Sequence, residues 1–125
     1  MKKTLWIITC ALLAQMASAQ TPKWAANAKK AIFSIVTYDK DNNIKATGNG
    51  FYIDNKGTAL SDYSLFEGAT RAVIIDANGK QQPVEMILGA NSMYDVVKFK
   101  TPVDKKQVSL KVATQPAKNG DVVFL

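Results

Sequence analysis

Six short runs of β-branched and aromatic residues, each followed by a turn signal, limit this chain more than any other feature. The runs are Ile32 to Tyr38, Gly50 to Asp54, Thr58 to Leu60, Arg71 to Asp76, Val84 to Leu88 and Asp95 to Lys100. Such residues suit a pleated, half-buried surface. Asp39 to Asn43 and Asn55-Lys56-Gly57 punctuate the early runs, and Asn78-Gly79 is the strongest hairpin signal in the chain. Ahead of them Thr21-Pro22 can start a short helix, with Thr21 as cap and Pro22 in the first turn, reaching about Lys30. Together these signals predict an all-β fold, a six-stranded antiparallel barrel with a short N-terminal helix. Trp24 is expected to pin the helix to the barrel. Phe33, Phe51, Tyr52 and Phe99 are expected as core or cross-strand partners.

The first 19 residues have a different character. Lys2 and Lys3 precede an apolar stretch from Leu5 to Leu13, and Ala17-Ser18-Ala19 supplies small residues for cleavage. This is the pattern of a secretory signal peptide. The stretch is shorter than the roughly 20 residues that a spanning helix needs, so stable membrane insertion is not expected. The chain therefore reads as exported, to the periplasm or cell envelope of a bacterium or beyond it. Cys10 is the single cysteine and leaves with the leader. A disulfide framework, a thiolate nucleophile and a cysteine metal site are excluded from the mature part. The basic residues are scattered, with Lys29-Lys30 and Lys105-Lys106 as pairs and no basic stripe, so nucleic acid is not an expected partner.

Histidine is absent altogether. That removes the usual general base and the commonest neutral metal ligand. Only carboxylates remain for a metal, and these favour hard cations such as calcium. Asp39-Lys40-Asp41-Asn42-Asn43 opens like a calcium loop, but Ile44 and Gly50 stand where that loop needs glycine and a bidentate glutamate. A polar hairpin turn is the better reading. Gly48 and Gly50 flank Asn49 ahead of a strand, where a phosphate cradle would need a helix; a bulge or close backbone packing is expected there. No metal and no cofactor is expected.

Several segments resemble, in order, the first half of a trypsin-like serine protease of the bacterial HtrA/Deg type. They are Thr47-Gly48-Asn49-Gly50-Phe51-Tyr52-Ile53-Asp54, Gly57-Thr58-Ala59-Leu60-Ser61-Asp62, Phe66-Glu67-Gly68-Ala69, Ile87-Leu88-Gly89-Ala90 with Tyr94-Asp95-Val96-Val97, and Gly120-Asp121-Val122-Val123. The resemblance runs from about Trp24 to Leu125. It implies that the barrel is the first barrel of such a protease, over residues 31–101, after a helix and linker at 20–30. Residues 102–125 would be a connector and the first strand of a second, truncated barrel. Val108 to Val112 alternates weakly, and Val122 to Leu125 reads as a strand at which the chain stops, so the chain is expected to be a fragment. By the same resemblance, Asp95 takes the position of the triad aspartate and Ser64 that of the triad histidine. The nucleophile is absent, since it belongs to the second barrel. An aspartate in a triad only orients a histidine. Asp95 beside a serine has nothing to orient, and is expected simply to begin its strand and accept nearby backbone amides.

The function expected from this is an exported homologue of an HtrA-type serine peptidase without the catalytic histidine, a pseudoprotease with a binding or scaffold role. Its partners would be peptides or unfolded protein segments, together with the second barrel and C-terminal domains of a longer protein. Two alternatives remain at this point: a fragment of an active serine endopeptidase, and an unrelated small exported β-domain for adhesion or binding. An isolated half of a two-barrel fold is expected to expose apolar surface and to be marginally stable or self-associating.

Overall fold

A computed structural model of the chain describes residues 22–103 and 106–120. The leader at 1–19, the expected cap Thr21 and the terminal strand Val122 to Leu125 lie outside the described residues. Helix α1, Lys23–Lys29, starts at Pro22, whose carbonyl accepts from the N–H groups of Ala25 and Ala26. Trp24 is 57 % exposed, and α1 buries no residue.

The strands are β1 (Ile32–Tyr38), β2 (Ile44–Tyr52), β3 (Thr58–Ser61), β4 (Arg71–Ile75), β5 (Gln81–Pro83), β6 (Met86–Asn91) and β7 (Val96–Lys100), with the short helix α2 (Tyr63–Phe66) between β3 and β4. All ladders are antiparallel and form one seven-stranded sheet in the order β5-β4-β1-β2-β3-β7-β6. The sheet curls into a half-barrel, not the closed six-stranded barrel expected. The break falls at Val84-Glu85, inside the expected Val84 to Leu88 strand and just after Pro83, which has no N–H to offer a ladder. Val84 still donates to the Ala72 carbonyl of β4, while Glu85 already donates to the Lys100 carbonyl of β7. Strand β5 therefore stays with β4, β6 goes to β7, and no ladder joins the two edges.

Alternation builds the core. Phe33 and Ile35 of β1, Tyr52 of β2, Ala59 of β3, Ala72 and Ile74 of β4, and Val97 and Phe99 of β7 are buried in one cluster. The Phe33 ring lies 5.0 Å from that of Tyr52 and 6.0 Å from that of Phe99, within the range of favourable tilted and edge contacts. Phe51, by contrast, is only half-buried. Gly50 is required by close approach: a Cβ there would lie 2.6 Å from the Leu60 carbonyl oxygen and 2.7 Å from the Phe33 ring. The Leu65 side chain fills the equivalent space at Gly48.

Three loops share one construction. In each, an aspartate Oδ1 accepts the N–H groups two and four residues later, and the residue three later has positive φ. Asp39 accepts from Asp41 and Asn43, both at 2.9 Å, with Asn42 at φ 62°. Asp54 accepts from Lys56 at 2.8 Å and Thr58 at 3.1 Å, with Gly57 at φ 89°. Asp76 accepts from Asn78 at 2.8 Å and Lys80 at 2.9 Å, with Gly79 at φ 81°. Only glycine, or asparagine at small cost, enters that region readily. The Asp39 loop is thus the hairpin turn expected. Residues 106–120 form no strand, Val108 to Val112 included. Part of this segment ties back to the sheet through Leu110 N–H on the Tyr52 carbonyl at 2.8 Å.

Candidate functional site

The site is built by α2 and by the turn into β7. Helix α2 is too short to persist by propensity. It is held because Leu65 packs into the gap at Gly48 and Phe66 sets its ring 5.3 Å from that of Phe99. Ser64 lies between these anchors and stays exposed. A helix N-terminus leaves N–H groups without intrahelical partners. Asp62 stands at the N-cap position but makes no side-chain cap bond.

Asp95 supplies the partners instead, from 31 residues away. Its carbonyl accepts the Tyr63 N–H at 3.2 Å. Its Oδ1 accepts the Ser64 N–H at 2.6 Å, and its Oδ2 accepts the Ser64 Oγ hydroxyl at 3.1 Å. Ser64 and Asp95, singled out in the sequence, are therefore brought into direct contact. The expectation that Asp95 begins a strand is corrected. It sits just before β7 with φ 54°, a left-handed conformation that costs an L-residue roughly 1–2 kcal/mol and that aspartate tolerates better than most. That conformation turns its carbonyl and its carboxylate toward α2 together.

The arrangement holds a hydroxyl against a carboxylate. A carboxylate is a weak base near neutral pH, and the chain has no histidine to relay the Ser64 proton. Among the described residues, no three or more His, Cys, Asp or Glu side chains gather as a metal ligand set. Beside the Ser64–Asp95 contact lies a shallow cleft of about 160 Å³, lined by Asn49, Gly50, Phe51, Leu60, Asp62 and Val96. Ser61 lines it too, and its side-chain hydroxyl donates to the Asn49 carbonyl at 2.7 Å.

Two groups away from this contact have displaced pKa values. Burial opposes ionisation of Asp54. The Thr58 hydroxyl, the Thr58 and Lys56 N–H groups and the Lys100 charge outweigh it and hold the carboxyl below its ordinary value. Burial pushes the Tyr52 phenol up, partly offset by its hydrogen bond with Thr101. The sequence reading overlooked how the three loop aspartates work, although the recurring pattern of aspartate followed three residues later by Asn or Gly was there to be seen. It also overlooked Phe66 and Leu65 as the anchors of the site. No helix among the described residues is long and apolar enough to cross a membrane. No protein-family model matches the chain, and a search of curated proteins returns no match.

Proposed function

We propose that this chain is an exported, trypsin-like peptidase homologue of the HtrA type that binds extended or unfolded polypeptide and does not cut it. The observation that carries the reading is the contact of Ser64 with Asp95. A triad aspartate holds its partner by position and hydrogen bonds, and Asp95 holds the backbone and the side chain of residue 64 at once. The residue held is a serine, so the aspartate orients no base. The antiparallel order of the sheet and the sequence resemblance support the same reading. The leader pattern at residues 1–19 supports export to the bacterial envelope. In this role the cleft beside Val96 takes side chains of the bound polypeptide.

The test uses fluorescein-labelled casein with the purified chain. Saturable binding without cleavage above a Ser64→Ala control is expected. Ser64-dependent cleavage would overturn the loss of catalysis, and absence of binding would overturn the binding role. Ser64→His alone should create no peptidase activity, because the chain offers no activated nucleophile for the imidazole to serve.

A further inference from the structure

Among the described residues the half-barrel has two edges without a further ladder, and they differ in kind. The β5 edge is blunted. It is three residues long, follows Lys80 and ends in Pro83, which has no N–H to offer. The β6 edge carries none of these devices except a bulge. It runs six residues, Met-Ile-Leu-Gly-Ala-Asn, with no charge and no proline, and every one of them is exposed. The bulge falls at Leu88, where the register with β7 passes from Ile87 to Gly89. Met86, Ile87 and Leu88 are 60, 49 and 46 % exposed, and Met93, Tyr94 and Val96 in the same hairpin are 83, 75 and 39 % exposed.

We propose that β6 pairs edge to edge with β6 of a second copy, antiparallel about a twofold axis. This inference does not depend on the peptidase resemblance. Three observations favour a second copy as the occupant. The first is area: the exposed apolar residues of this hairpin, on both faces of the strand, leave on the order of a few hundred Å² per copy, part of the about 800 Å² per partner of a standard interface, and the new ladder adds backbone hydrogen bonds. The second is charge. The chain carries a net +6, or +4 without Lys2 and Lys3 of the leader, so copies repel overall, and β6 is a six-residue stretch that adds no charge to that repulsion. The third is symmetry, because an antiparallel strand pair is self-complementary and closes as a dimer without leading to fibres.

The test is sedimentation velocity on the purified chain, its N-terminus read by mass spectrometry, over about 1–100 µM. A monomer–dimer equilibrium with a dissociation constant of roughly 10 µM is expected. Leu88→Lys and Ala90→Lys each bring two like charges close to the axis. Each should raise that constant at least about tenfold, while Gln81→Lys on the β5 edge leaves it unchanged. Both β6 positions are exposed, and Leu88 has no ladder partner to lose. In the unsubstituted chain, hydrogen exchange at 86–91 should slow with concentration and exchange at 81–83 should not. That readout holds even if a lysine variant fails to fold. A monomer throughout the range overturns the proposal and leaves β6 to a different polypeptide. Association that both lysine variants leave intact also overturns it, by putting the contact elsewhere.

Discussion

Four aspartates of this chain each accept two hydrogen bonds or more, yet they act at two different ranges. Asp39, Asp54 and Asp76 close their own loops, reaching N–H groups two and four residues on. Asp95 reaches across 31 residues to cap α2 and to hold Ser64. The first kind fixes where strands reverse. The second ties a helix to a distant strand, and with it sets the position of an exposed hydroxyl. A capping bond local in sequence stabilises a turn that the chain could also sample alone. A bond between distant segments exists only once the sheet is assembled.

The contrast can be broken residue by residue. Asp95→Ala should have the largest effect, about 2 kcal/mol lost in urea denaturation, because two charge-assisted bonds disappear and the α2 amides are left uncapped. Its signature is faster hydrogen exchange at Tyr63 to Phe66, far from the substitution in sequence. Exchange confined to residues 95–96 would show that Asp95 is a local cap like the others. Asp54→Ala should cost about 1 kcal/mol, with faster exchange only at Lys56 and Thr58. This loss should depend on pH. The folded pKa of Asp54 lies below its unfolded value, so its contribution is present above about pH 4 and fades as the pH falls through the folded pKa. The urea midpoints of the parent chain and of Asp54→Asn should therefore converge in acid. Separate midpoints that persist there would assign the cost to packing. Asp39→Ala should cost least, about 0.5 kcal/mol, since its loop is exposed and Asn42 retains its own tolerance of positive φ. A loss as large as that of Asp95→Ala would erase the distinction.

Much of the sheet was legible in the residues, and the exceptions have causes. β1 and β4 are runs of β-branched residues, so propensity and pairing agree. The first half of β2, Ile44 to Asn49, carries Lys45, Gly48 and Asn49 and has no strand signal of its own; pairing with Ser34 to Tyr38 imposes it. The fifth run begins two residues late because Val84 bonds to β4 and Glu85 to β7, a choice that depends on which neighbour each can reach. Asn78-Gly79 did announce its hairpin, but the loop is closed by Asp76 and Lys80 with Gly79 alone at positive φ, one residue wider than the tightest turn. At the site, Ser64 and Asp95 were singled out through ordered short segments. Their contact could not be read from spacing, because it depends on how Leu65 and Phe66 seat α2 on the core.

The seat of residue 64 can be probed directly, because the chain has no histidine of its own. Ser64→His in an untagged chain introduces a single imidazole, whose titration is free of overlap in a proton NMR spectrum. If Asp95 holds residue 64 as a triad aspartate holds its histidine, the imidazolium is stabilised. Its pKa then rises above the ordinary value of about 6.5, by up to roughly one unit at this exposed position. Adding Asp95→Asn should return it to that value. An imidazole that titrates at its ordinary pKa in both backgrounds would contradict the account.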